Sequence, residues 1–253
     1  MADVEVGLGK SGRRAYGFDD IAIVPSRRTR DPEDVEIKWE IDAFSFELPL
    51  MASAMDGVVS PQTAIEIGRL GGVGVLNLEG LWTRYEDPMN MLKEISQLDA
   101  EHATRRMQEI YLEPVKLELI SERIKEINAA GVISCASVTP QRTELFSSHL
   151  LESELDLLVI QGTVVTPEHV SKTKEPLNLK TFVRDFPIPT IVGGCASYEA
   201  ALHLMRTGAA GVLVGVGPGH ACTTRGVLGI GVPQVTAIAD ARAARTRHLD
   251  ETG

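Results

Sequence analysis

Residues 210–234 read AGVLVGVGPGHACTTRGVLGIGVPQ, and the two halves of this stretch have different physical characters. The first five residues are small or apolar, a run of strand length without a polar face. Such a run suits a strand covered on both sides, as in a parallel sheet flanked by helices. A loop follows, bent by Gly215, Gly217 and Gly219, and it carries His220, Cys222, Thr223, Thr224 and Arg225. Pro233 then opens a helical pattern over 233–247 (PQVTAIADARAARTR), in the first-turn position that proline tolerates. Strand, polar loop and helix in this order make one βα unit.

The same unit recurs upstream. Strand-like runs are predicted at 48–54 (LPLMASA), 73–76 (VGVL), 131–138 (GVISCASV), 155–160 (LDLLVI) and 189–192 (PTIV). Ser60 and Pro61 read as the cap and first residue of a helix that Gly71-Gly72 ends. Further helices are expected over 118–130, 141–151 and 197–207, the last capped by Ser197 and stopped by Gly208. Six strands alternating with helices indicate a parallel α/β fold. No GxGxxG turn follows the first strand, and chemically rich residues gather at several strand ends. Both point to a (β/α)8 TIM barrel, whose active site sits at the C-terminal ends of its strands.

A closed barrel of this kind has eight strands. The sixth is followed by one helix and a polar tail, HLDETG. The expectation is a single, incomplete barrel domain over 1–253, with about six of eight βα units and two unpaired sheet edges. Residues 82–117 show no strand pattern and form a long connection, with a helix expected near 89–98 that packs outside the barrel or against a partner.

Composition narrows the function classes. A formal net charge of −10 disfavours nucleic-acid and anionic-membrane partners, which need clustered positive charge. The short basic run Arg27, Arg28, Arg30 is followed by Asp31, Glu33 and Asp34 and reads as a solvated loop. Three cysteines, odd in number and without metal-type spacing, suggest reduced thiols and a cytoplasmic setting. Cys135 and Cys195 lie in or at the end of apolar strands and read as buried structural thiols. Cys222 differs. It sits in a polar, glycine-flanked loop beside His220 and Arg225, where main-chain N–H groups and a cation favour the nucleophilic thiolate. The same glycine turn can present N–H groups to a phosphate and carbonyls to a cation.

The loop GHACTTRGVLGIGVPQ resembles the catalytic loop of the IMP dehydrogenase/GMP reductase family. FDDIAIVPSRRTRDPEDVEI at 18–37 is similar to that family's N-terminal signature, and LPLMASAMDGVVSPQTAIEIGRLGGVGVLN at 48–77 to its first βαβ unit. IVGGCASYEAA at 191–201 falls where the family has a Gly-Gly strand end. The blocks occur in order over nearly the whole chain. The paired CBS regulatory domains that many family members insert after the second strand are absent, and 82–117 stands in their place. This resembles the short IMP dehydrogenase-like paralogues of actinobacteria and cyanobacteria. GMP reductases also lack that insert, and their loop commonly reads CTTR.

The resemblance implies an oxidoreductase of guanine nucleotide biosynthesis that converts IMP to XMP with NAD. The alternatives are GMP reductase, which uses NADPH to deaminate GMP, and a catalytically impaired nucleotide-binding paralogue or fragment. It implies Cys222 as the nucleophile and Thr224 as the hydroxyl that positions water or ammonia. Ser53, Met55, Gly219 and His220 are implied substrate contacts, and Gln161, Gly162, Gly215 and Gly217 fall at the cofactor. Carbonyls of Gly217, Gly219 and Cys222 match those that hold K+, and a homo-oligomer, a tetramer, is expected. Each residue also has a plainer reading: Ser53 and Met55 as strand-end packing, Thr224 as a helix cap, His220 as a solvated loop residue. This chain departs from the family at Gln161 (for Asp), Cys195 (for Asn), Leu213 (for Arg) and His220 (for Ser). The change at Gln161 removes a carboxylate expected on a ribose diol, a hydrogen bond of about 1.5–3 kcal/mol.

Overall fold

The computed structural model describes residues 4–166, 176–220 and 222–253. At its centre is a six-stranded, all-parallel sheet whose strands lie side by side in chain order: β5 (Met51–Ala52), β6 (Val73–Asn77), β7 (Cys135–Val138), β8 (Leu157–Gln161), β9 (Thr190–Cys195) and β10 (Gly211–Val214). Each pair is parallel, and β5 and β10 are the edges. This is a partial (β/α)8 barrel, the architecture expected from the six runs.

Two-residue alternation divides the side chains between the sheet faces. Leu158, Ile160, Ala136, Val138, Val192 and Leu76 pack outward with the helices, beside Ile120, Ile124, Ile127, Phe146 and Leu150. Val73, Val75, Cys135, Leu157, Val159 and Ile191 face the barrel interior. Covering them is a short antiparallel hairpin, β3 (Trp39–Ile41) and β4 (Phe44–Phe46), which contributes Ile41 and Phe46 to the inner cluster. The Trp39 and Phe46 rings lie 4.9 Å apart and the Trp39 indole N–H donates to the Leu48 carbonyl at 2.7 Å. The partial barrel therefore has its own interior core. Another antiparallel pair, β1 (Val4–Gly7) with β2 (Lys10–Gly12), precedes it.

The helices start where their caps lie. In α1 (Pro61–Arg69) Ser60 Oγ accepts the Thr63 N–H at 3.0 Å, with Pro61 in the first turn. Ser197 does the same for Ala200 at 3.2 Å in α7 (Tyr198–Met205). Between β6 and β7 run α2 (Met89–Ser96), α3 (Ala100–Ile110) and α4 (Leu117–Ala129). α5 (Thr143–Glu152) follows β7, α6 (Leu179–Asp185) precedes β9, and α8 (Gln234–Thr252) closes the described fold.

Several boundaries differ from the sequence reading. The first strand shrinks from 48–54 to Met51–Ala52, because β5 pairs on one side only, through Met51 with Val73 and Ala52 with Gly74. Conversely, 189–192 grows to Thr190–Cys195, since its Gly-Gly end pairs with both neighbours. The polar segment 248–252 is not a tail but the last turn of α8: Glu251 bridges Arg206 at 2.8 Å and Arg247 at 2.7 Å, so its charges hold the helix to α7. Helices α3 and α6 and both hairpins escaped the pattern. α3 is largely exposed and rich in charged residues, with Ala103, Met107 and Ile110 along one side, and the hairpin strands are three or four residues long.

The 82–117 connection is the α2–α3 insert, and it packs on the barrel. Arg84 donates to the carbonyls of Glu79 (2.9 and 3.1 Å), Tyr111 (3.3 Å) and Glu113. Arg123 of α4 donates to those of Trp82, Tyr85 and Glu86 at 2.6–3.3 Å. At the other end of the chain, Arg13 forms a bidentate pair with Asp240 at 2.5 and 3.2 Å. Tyr16 N–H donates to Thr236 Oγ1 at 2.8 Å, which fixes the N-terminal segment along α8.

Candidate functional site

At the C-terminal ends of the strands lies a cavity of about 480 Å³, within the roughly 300–1,000 Å³ of small-molecule sites. Its apolar floor is Met51, Val75, Val159 and Leu213, and its walls are the strand-end loops. Ser53, Gln161, Gly162, Gly215, Gly217 and Thr224, six residues singled out from sequence, line it together. They come from β5, β8 and β10, so the parallel sheet collects what the sequence scatters. Met55, Gly219, His220 and Cys222 are not part of the lining: Met55, Gly219 and His220 are exposed, and Cys222 is half-buried beside Thr224.

Glycine is required where β9 meets β10. A Cβ on Gly193 would lie 2.5 Å from Leu213 Cβ, and one on Gly194 would lie 2.5 Å from the Gly215 carbonyl oxygen. Gly215 itself has φ +138°, a conformation that side chains rarely adopt. The small residues let the two strand ends close together and turn the glycine loop back over the cavity. Gly215 N–H donates to the Cys195 carbonyl at 2.7 Å; across β8 and β9, Gly162 N–H donates to the Gly193 carbonyl at 3.0 Å and Gly194 N–H to the Gly162 carbonyl at 3.1 Å.

Of the polar side chains in the lining, Thr163 and Gln234 were not singled out from sequence as site residues. Gln234 Nε2 donates to the Val214 carbonyl at 2.9 Å, tying the start of α8 to the end of β10. Its Oε1 is buried and meets no donor among the described residues. The available signal was the Pro-Gln pair, read only as a helix start; an amide there reaches back along the loop it closes.

Cys222 sits at the start of a one-turn π-helix, Thr224–Leu228. Its N–H donates to the Gly219 carbonyl at 3.2 Å, and its own carbonyl accepts from Gly226 at 3.4 Å. The Arg225 backbone N–H chiefly, and next the Thr224 hydroxyl, hold its thiol below the usual cysteine range. Free N–H groups at a helix start stabilise negative charge, and that is how a loop thiol becomes a thiolate. The other two cysteines are opposite cases. Burial pushes Cys195 up to about 11 and Cys135 higher still, in keeping with structural thiols.

This difference predicts a pH profile. A thiol with a lowered pKa keeps its thiolate as pH falls through the ordinary value of about 8.5. Alkylation of native protein by iodoacetamide is therefore expected at Cys222 first, with a midpoint below that value. Peptide mapping against pH checks it, and modification of Cys135 or Cys195 ahead of Cys222 would refute it.

The lining can be tested against groups the site would hold. No charged side chain lines the cavity among the described residues. A dinucleotide would therefore be held by backbone groups of Gly162, Gly215 and Gly217 and by the amides of Gln161 and Gln234, which suit its polar surfaces. The carbonyls of Gly217, Gly219 and Cys222 are neutral oxygens of the kind that hold potassium. Those of Gly219 and Cys222 each accept one N–H and keep a second lone pair.

Residues 15–250 match the IMP dehydrogenase / GMP reductase domain. An uncharacterized oxidoreductase of Mycobacterium tuberculosis (strain ATCC 25618 / H37Rv) is 48% identical over 256 residues, covering 99% of this chain and 68% of that protein. An inosine-5'-monophosphate dehydrogenase of Borreliella burgdorferi is 29% identical, covering 91% of this chain and 60% of that protein. The crystal structure of an IMP dehydrogenase/GMP reductase-like protein from Corynebacterium glutamicum superposes with a TM-score of 0.92 at 43% identity, over 99% of this chain and 67% of that one. The chain belongs to the IMP dehydrogenase/GMP reductase family and is an oxidoreductase of that family.

Proposed function

We propose that this chain acts as an IMP dehydrogenase-type oxidoreductase, converting IMP to XMP through a covalent adduct on Cys222, a step of guanine nucleotide biosynthesis. The observation that carries the reading is the half-buried Cys222 thiol, held toward thiolate by Arg225 N–H and the Thr224 hydroxyl beside a glycine-lined cavity.

In this mechanism the Cys222 thiolate adds to C2 of the purine. The nicotinamide of NAD+ supplies the hydride acceptor when bound. With the hydride gone, the sulfur and C2 form a thioimidate; water adds to C2, and the thiolate departs to leave XMP. Thr224, which both lines the cavity and bonds the thiol, would orient that water. Such covalent catalysis divides one difficult displacement into easier steps. Ser53 and Met55 at the end of β5, with Gly219 and His220 in the loop, are the proposed nucleotide contacts. Gln161, Gly162, Gly215 and Gly217 would hold the dinucleotide, and the carbonyls of Gly217, Gly219 and Cys222 would hold K+ and so fix the loop. A homo-oligomer, a tetramer, is part of the proposal.

The test is a pair of assays on the same preparation: IMP with NAD+, and GMP with NADPH. NADH formation with XMP as product is expected from the first and none from the second. Turnover only with GMP and NADPH would assign the chain to the reductase branch. One feature favours a different second reading, nucleotide binding without turnover: Leu213 and Gln161, rather than charged side chains, line the cavity. Calorimetric binding of IMP with neither reaction detectable would favour that paralogue.

A further inference from the structure

The loop that carries Ser53 and Met55 is held by more than its own strand. Met55 N–H donates to the Ser53 carbonyl at 2.8 Å, and Val58 and Val59 N–H both donate to the Met55 carbonyl at 2.8 and 2.9 Å. Residues 53–59 thus form a tight turn ending on the fully buried Val59. Asp56 lies inside this turn, and two separate stretches of chain, 80–82 and Tyr111, converge on it. Its Oδ2 accepts the Leu81 backbone N–H at 3.0 Å and the Tyr111 hydroxyl, while its carbonyl accepts the Trp82 indole N–H at 3.4 Å. Its Oδ1 is buried and meets no donor among the described residues. The contact with the following loop is so close that a Cβ on Gly80 would overlap that oxygen.

Tyr111 belongs to the α2–α3 insert, immediately after α3. Its ring lies under the Arg84 guanidinium, 5.4 Å from the centroid, and the same guanidinium donates to the Tyr111 carbonyl at 3.3 Å. Arg84 therefore fixes the ring and the backbone of Tyr111 together. Burial first, then the bond to Asp56, push the Tyr111 phenol well above its ordinary value. The hydroxyl remains a donor throughout the working pH range.

We infer that Tyr111 is a positioning residue for nucleotide binding: through its hydrogen bond to Asp56, the insert sets the turn that starts from Ser53 in the cavity wall and carries Met55 beside it. The identity of the nucleotide rests on the function proposed above; the mechanical link does not. Without the phenol oxygen, Asp56 keeps only Leu81, among the described residues, as a donor to its carboxylate, and residues 53–59 gain freedom. A ligand bound by Ser53 and Met55 must then order that turn itself, which weakens binding and leaves the Cys222 chemistry unchanged.

The experiment compares wild type with Tyr111→Phe and Asp56→Asn in two readouts. In hydrogen exchange without ligand, the Val58 and Val59 amides are expected to exchange about tenfold faster in Tyr111→Phe, with the melting temperature unchanged. With IMP, KM is expected to rise about five- to twentyfold in Tyr111→Phe while kcat stays within about twofold, with Asp56→Asn showing the same split and the double variant no further loss. A purely structural role would lower the melting temperature and would not divide KM from kcat in this way. Wild-type protein that does not bind IMP overturns the proposed function. The exchange data then decide the link alone: unchanged protection at 58 and 59 overturns it, and so does an unaltered KM where wild type turns over.

Discussion

Cys222→Ser is expected to lower the NAD+-dependent turnover of IMP by about 10³–10⁶-fold, the range seen when a covalent nucleophile is removed. Each tenfold corresponds to about 1.36 kcal/mol of barrier, so the loss amounts to roughly 4–8 kcal/mol of transition-state stabilisation. A serine hydroxyl in the same place gains little from the surroundings that matter. The Arg225 N–H and the Thr224 hydroxyl stabilise an anion on sulfur, but an alcohol stays protonated there. The fold should not suffer, because the residue lies in a loop and outside both apolar clusters. Steady-state rates, a thermal melt and intact mass after incubation with IMP and NAD+ form the check. Full activity in Cys222→Ala, or an adduct that persists without Cys222, ends the assignment.

Phe146→Ala is expected to destabilise the chain by about 3–5 kcal/mol, the usual cost of deleting a buried aromatic ring. Phe146 is 2% exposed and belongs to the cluster between the sheet and its helices. A cavity of that size cannot collapse without moving α5 relative to β7 and β8. Typical total stabilities are about 5–15 kcal/mol, so much of the fold's margin would go. Its neighbour provides the control. Leu145 is 55% exposed, and Leu145→Ala should stay within about 0.5 kcal/mol. Urea denaturation of the two variants, with the slope unchanged, tests the orientation of α5 directly. Equal midpoint shifts would show that the helix faces are misassigned.

The sheet was legible because each of its inner strands is apolar on both faces, a property that periodicity and length reveal without any contact being known. Leu157, Leu158, Val159 and Ile160 are all buried, and the sequence shows them as an uninterrupted run. The helices with strong caps were legible for the same local reason: Ser60-Pro61 and Ser197 satisfy their own first turns. What escaped was held by partners far away in the chain. α8 continues through 248–252 because Glu251 meets Arg206 on α7, and the β3–β4 hairpin exists as a plug because Val73, Leu157 and Ile191 offer it an apolar floor.

The candidate site divides along the same line. Residue chemistry alone marked Cys222 against Cys135 and Cys195, since a thiol among glycines, threonines and an arginine sits in a different medium from one among valines. Sequence order could not say that Ser53, Gln161, Gly215 and Thr224 share one cavity, that Gln234 reaches back to Val214, or that Tyr111 reaches Asp56 across 55 positions. Those relations depend on strand register and on how the insert packs. Local propensity is written in neighbouring residues, whereas a site is assembled by closing long loops, and the free energy for that closure comes from the core as a whole.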